Sequence, residues 1–143
     1  MKRIGLYAGS FNPFHKGHYN ILLKSKAIFD KVIIARGINP EKNNEFVGYP
    51  PIIANYETIM EYSGLLTDFI EELESKEHDV TLIRGLRNST DLQYELTQYR
   101  FLQELKPDIK VVSIFCDKEY EHISSSAIRM LQKYGKGDEY LLK

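Results

Sequence analysis

The sequence predicts an α/β fold, a mostly parallel sheet flanked by helices, in one domain spanning residues 1–143. Short apolar runs rich in β-branched residues alternate along the chain with longer segments whose apolar residues recur every three or four positions. A polar cluster follows each of four such runs. A chain of 143 residues, 43% hydrophobic and 27% charged, has the size and balance of a globular domain that builds its own core.

Taken in order, Ile4-Gly5-Leu6-Tyr7 reads as a strand entering a loop at Ala8-Gly9-Ser10. From Gly17 the period changes, and Tyr19, Leu22, Leu23, Ala27 and Ile28 mark a helix face. Val32 to Ala35 is a buried strand, which makes a β–loop–α–β unit whose strands pair in parallel. Glu41 to Pro51 has no period and is expected to be a loop. Helices are predicted over Asn55 to Tyr62 and Thr67 to Ser75, with Phe69, Ile70 and Leu73 facing inward. Val80 to Ile83 is a further strand. Asp91 is the expected N-cap of a long helix ending near Leu105, and Ile109 to Phe115 is a strand. The last helix opens at Ile123 to Ser126 and carries Ala127, Ile128, Met130 and Leu131.

The formal net charge of −1 gives no sign of a nucleic-acid or membrane partner. Cys116 is the single cysteine, so an intrachain disulfide and a Cys-rich zinc site are excluded, and a reducing compartment suits the chain. The apolar run after Met1-Lys2-Arg3 is too short for a signal peptide, and no run reaches the roughly 18 residues of a membrane span. The expectation is a soluble, cytoplasmic protein.

In open parallel sheets the ligand crevice lies beyond the carboxyl ends of the strands. The four polar clusters fall there: Ser10 to His18, Asn39 to Lys42, Arg84 to Arg87, and Tyr120 to Ser126. His15 and His18 lie one turn apart around Gly17 at a helix start, where imidazoles and free backbone N–H groups suit phosphate. A surface pair is the competing reading, and no third ligand nearby in sequence argues for metal. Lys42 could meet a phosphate as a point charge, or be one more solvated lysine. Arg84 and Arg87 could bind phosphate in a fork or pair with acidic neighbours, with nothing to choose between them. Among Ser124, Ser125 and Ser126 at least one is a helix cap, and the rest offer donors to an anion. No Walker loop, Gly-x-Ser-x-Gly or activated cysteine is present, so positioning and charge stabilisation are the available chemistry.

These residues resemble a known pattern. Gly9 to His18 is similar to the (His/Thr)-x-Gly-His signature that binds triphosphate in the nucleotidylyltransferase superfamily, and Ile123 to Arg129 resembles its second signature. Ile38 to Lys42, Gly64 to Phe69, Arg84 to Arg87 and Thr90 to Glu95 resemble the phosphopantetheine adenylyltransferase family in order over nearly the whole chain. The resemblance implies a Rossmann-like fold and transfer of the adenylyl group of ATP to 4'-phosphopantetheine, with Mg²⁺, in coenzyme A biosynthesis. It also implies a cytoplasmic homo-oligomer, a hexamer.

By the same resemblance His18, Lys42 and Arg87 are the catalytic residues, with His18 stabilising the transition state. Ser10, Phe11, His18, Gly85, Leu86, Arg87 and Glu95 would bind ATP. So would the segment Tyr120, Glu121, His122, Ile123, Ser124, Ser125 and Ser126. Ser10, Lys42, Leu66 and Arg84 would bind the acceptor, Leu66 along its pantetheine arm. No residue is assigned as a metal ligand. The chain departs from the family in Ala8 for proline, Ser10 for threonine, Asn12 for aspartate and His15 for threonine. Its middle stretch, Phe46 to Tyr56, is shorter than the family's, and it stops at Lys143 without the family's final helix. His15 is closer to nicotinamide-nucleotide adenylyltransferases, which makes nicotinamide mononucleotide the alternative acceptor. Cytidylyl transfer to a polyol phosphate and a nucleotide-binding module without turnover complete the alternatives.

Overall fold

A computed structural model describes residues 2–41, 45–76 and 78–143. The chain runs β1 (Arg3–Gly9), α1 (Lys16–Lys26), β2 (Lys31–Ile38), α2 (Pro51–Tyr56), β3 (Thr58–Ser63) and α3 (Leu66–Glu74). It continues through β4 (Asp79–Leu86), α4 (Ser89–Leu105), β5 (Val111–Phe115) and α5 (Ser125–Gln132). All strand pairs are parallel, in the order β3-β2-β1-β4-β5. This is the expected Rossmann-like arrangement. The chain winds outward from β1 in both directions, so the loops after β1 and β4 diverge and open a crevice at the sheet's carboxyl edge.

Strand alternation supplies both cores. Leu6 pairs with Ile33 and Leu82 at the sheet centre. These three join Ile4 and Ala8 in facing α3, where Phe69, Ile70 and Leu73 cover them. Tyr7, Ile34 and Ile83 point the other way, onto Ile21 and Leu22 of α1 and onto Phe11, Phe14 and Ile53. Strands covered on both faces lose nearly all exposure, as the near-continuous apolar runs of β1, β2 and β4 require.

Three local expectations are corrected. The helix expected over Asn55–Tyr62 is instead the end of α2, followed by β3. Pro51 starts α2 early because its fixed φ suits the first helical position. Glu57 is extended (φ −112°, ψ 156°), which stops the helix. Ile59 then packs on one core while Met60 and Tyr62 pack on the other, a period of two hidden in a short apolar run. The cap of α4 is Asn88, whose side chain accepts from the Asp91 N–H at 3.0 Å. The fifth strand begins at Val111, although Ile109 is buried as expected. The corner before it is closed by Lys106, 5% exposed, which pairs with Glu74 (2.7 Å) and Asp108 (3.0 Å). Among the described residues no helix is long and apolar enough to cross a membrane.

Candidate active site

At the end of β1 the backbone makes an abrupt turn, with Phe11 at φ +48°. Its ring is buried among Tyr7, Phe14 and His18, at centroid distances of 5.1, 5.4 and 5.0 Å. This aromatic block is the wall against which α1 begins. His15 is the N-cap of α1, and its Nδ1 accepts from the N–H groups of Gly17 (3.0 Å) and His18 (3.4 Å). In return the His15 N–H donates to Nδ1 of His18 at 3.1 Å. The two rings stack 3.7 Å apart. Gly17 is required by this arrangement, because a Cβ there would lie 2.9 Å from Cε1 of His15.

This reciprocal box decides the protonation chemistry. With Nδ1 accepting in both rings, each neutral imidazole carries its proton on Nε2, where it can donate. Burial and the Arg87 charge push His15 down to about 4. His18 is driven well below its ordinary value by burial first, then by His15 and Arg87. Both rings are therefore neutral donors at pH 7. The backbone N–H groups of Gly17 and His18, expected to meet phosphate, are taken by the His15 ring. The imidazole Nε2–H groups remain outside that box.

The box opens on a cleft of about 290 Å³ between the exits of β1 and β4. His15, His18, Phe11, Gly85, Leu86, Arg84, Arg87, Glu95, Ile123, Ser124 and Ser125 all line it, which unites most of the residues expected to bind nucleotide. Tyr7, Asp91, Tyr94 and Cys116 line it too and were missed. Tyr7 and Cys116 carry no local signal beyond their position at strand ends. Tyr120, Glu121, His122 and Ser126 are not among the lining residues. His122 instead packs edge-on against Tyr140, and Ser126 accepts from Arg129 at 3.3 Å.

The two arginines of the β4 exit differ. Arg87 is forked onto Asp91, with Nε to Oδ2 at 2.8 Å and an NH2 to Oδ1 at 2.9 Å, and also donates to the Ile123 carbonyl at 3.0 Å. Burial alone would raise the Asp91 carboxyl, but the hydrogen bonds from Arg87 outweigh it and hold Asp91 below the usual range. Ion pairing, the bland alternative, accounts for Arg87 as it stands. Arg84 faces Glu95 at 3.3 Å, yet its buried Nε has no hydrogen-bond partner among the described residues. Glu95 is accordingly raised by burial, with Arg84 countering only part of it.

The second signature mostly braces the first. Ser124 caps α5 by accepting from the Ala127 N–H at 3.1 Å, as a serine there was expected to do. Ser125 donates its hydroxyl to the Pro13 carbonyl at 2.9 Å, and Arg129 donates to the Asn12 carbonyl. Ser124 and Ser125, at the start of α5, both line the cleft.

A second cavity, of about 490 Å³, lies across β1 between the exits of β1, β2 and β3. Gly9, Ser10, Asn39 and Pro40 line it, and Gly9 lines both cavities. Ser10, which is exposed, lines this cavity and not the cleft. Leu66 packs against the α3-side core and lines neither cavity. Lys42 lies outside the described residues. Among the described residues no three His, Cys, Asp or Glu side chains are grouped to hold a metal ion.

The model of cytidylyltransferase-like proteins matches residues 6–131. A phosphopantetheine adenylyltransferase of Mycoplasma capricolum is 35% identical, across 94% of this chain and 99% of its own. One of Cytophaga hutchinsonii is 38% identical, across 94% and 92%. Among solved structures, a Vibrio parahaemolyticus protein described as a candidate nicotinate-nucleotide adenylyltransferase covers the whole chain and 95% of its own, with a TM-score of 0.68 at 18% identity. That likeness speaks to the fold. With its histidine box, its paired strand-end cavities and these relatives, the chain belongs to the cytidylyltransferase-like family and, within it, to the phosphopantetheine adenylyltransferases.

Proposed function

We propose that this chain transfers the adenylyl group of ATP to 4'-phosphopantetheine, forming 3'-dephospho-CoA and pyrophosphate. The observation that carries the reading is the pair of neutral, Nε2-protonated imidazoles at the mouth of a cleft that meets a second cavity at Gly9. The triphosphate takes the cleft beside His15 and His18, and the acceptor takes the cavity beside Ser10 and Asn39. The acceptor phosphate is already an anion, so in-line attack on the α-phosphate needs no general base. Negative charge grows on the bridging and non-bridging oxygens. Fixed donors answer it without reorganisation.

His18 Nε2–H is the donor placed for that charge, and His15 is its neighbour on the same phosphates. Arg84, with an unsatisfied Nε–H, is the cation free to turn toward phosphate, whereas Arg87 holds the floor of the site together. Lys42 belongs to the acceptor side by resemblance. The cleft's carboxylates Asp91 and Glu95 each face an arginine, which leaves them poorly placed to hold Mg²⁺. Mg²⁺ would arrive on the triphosphate and neutralise part of its charge. A cytoplasmic homo-oligomer, a hexamer by resemblance, is part of the same proposal.

The test is pyrophosphate release from ATP and Mg²⁺ with each acceptor in turn. Release with phosphopantetheine supports the reading. Release only with nicotinamide mononucleotide, the acceptor that His15 favours, replaces it. Nucleotide binding without release leaves a binding module.

A further inference from the structure

Asn12, where the family usually has aspartate, is 8% exposed, and among the described residues its carboxamide hydrogen-bonds to one segment. Its Nδ2 donates to the Glu45 carbonyl at 3.0 Å, and its Oδ1 accepts from the Val47 N–H at 3.3 Å. Both edges of the amide are used. An aspartate could accept from Val47, but it would present an oxygen to the Glu45 carbonyl, with repulsion in place of a bond. The main-chain carbonyl of Asn12 is held separately by Arg129, and that of Pro13 by Ser125, so the backbone of the turn is secured from α5. The side chain is left with one task.

That task ties the turn after β1 to the chain that follows β2, the two segments that flank the acceptor cavity in sequence. Ser10, two residues before Asn12, forms one lip, and Asn39 and Pro40 form the other. Glu45 and Val47, the clasped residues, flank Phe46, which packs with Tyr49 beside Arg36 and Phe11. The nucleotide cleft lies on the opposite side of β1, and Asn12 does not line it. We propose that Asn12 is a positioning residue for the acceptor: its carboxamide clasps Glu45 and Val47 and so sets the separation between the exits of β1 and β2 that the acceptor phosphate must bridge. The clasp rests on the acceptor side assigned above, and it explains why an amide replaces the acid.

The experiment is steady-state kinetics of Asn12→Asp with the phosphate acceptor that the wild type is first shown to adenylate. The expected result is an acceptor KM raised roughly tenfold, as for one hydrogen bond lost and a repulsion put in its place, with ATP affinity by calorimetry within about twofold of wild type. Val47→Pro removes the other donor at an exposed position while leaving Asn12 intact, and it should reproduce the same split. It decides the matter if Asn12→Asp fails to fold. Unchanged acceptor KM in the folded variants overturns the clasp. So does a parallel loss of ATP affinity or of kcat alone, which would mean that Asn12 acts on the His18 wall or on folding. If the wild type uses another acceptor, the reading of phosphopantetheine fails, and the clasp is still measured with the acceptor it does use.

Discussion

The exits of β1 and β4 were both candidates for phosphate, and they turn out to be built on opposite principles. At the β1 exit the Nδ1 atoms of two neutral imidazoles accept from the backbone N–H groups of His15, Gly17 and His18, and Nε2–H takes no part in that box. At the β4 exit a full charge is present on Arg87, but a carboxylate and a carbonyl already occupy three of its N–H groups. A formal charge is therefore a poor guide to what a site can offer. What counts is the donor left unpaired after the fold has taken its share. Arg84 lies between the two cases, since Glu95 offers it proximity without a hydrogen bond at Nε.

Four measurements bear on this contrast. His18→Ala should cut turnover roughly 10²–10³-fold, the loss seen when a fixed donor to a developing oxyanion is removed. Unchanged kcat would move transition-state stabilisation away from the β1 exit. Gly17→Ala comes next. Its Cβ meets the His15 ring at 2.9 Å, so the ring must leave its capping position. Lost capping of about 1 kcal/mol and displaced donors should weaken ATP binding roughly five- to tenfold by calorimetry.

The two arginines should then separate by readout. Arg87→Ala leaves Asp91 without its fork and should lower stability by about 1–2 kcal/mol after allowance for partial exposure, seen as a Tm lower by several degrees. Arg84→Ala should leave Tm nearly unchanged and raise the KM for ATP severalfold. The opposite pattern would exchange their roles. The smallest effect is in pH. Folded His15 and His18 take up protons only well below the ordinary imidazole value of about 6.5, whereas the unfolded chain takes them up at that value. Proton uptake by the unfolded state then makes stability fall as pH drops from about 6.5 toward 4, and leaves it flat above. Thermal melts of wild type and His15→Asn across that window should show a shallower slope in the variant.

The strand-end clusters were legible because parallel sheets put loops of one kind on one edge, and three of the four converge on a single cleft. β3 was not legible. Its Ile59, Met60 and Tyr62 span too few residues to tell a period of two from one near four, and only pairing with β2 chose. Asn88 displaced Asp91 as the α4 cap for a related reason. Both side chains can cap, and Asp91 was recruited by Arg87.

By itself the sequence determined the alternation of strands and helices, the buried runs of β1, β2 and β4, and the placing of Gly17 between two histidines. These follow from local spacing and residue chemistry. The tertiary structure alone decided which arginine is spent, which serine braces Pro13, and that Asn12 holds Glu45 and Val47. Each of those depends on partners distant in the chain, and a polar side chain's use is set by whichever partner the fold brings within about 3 Å.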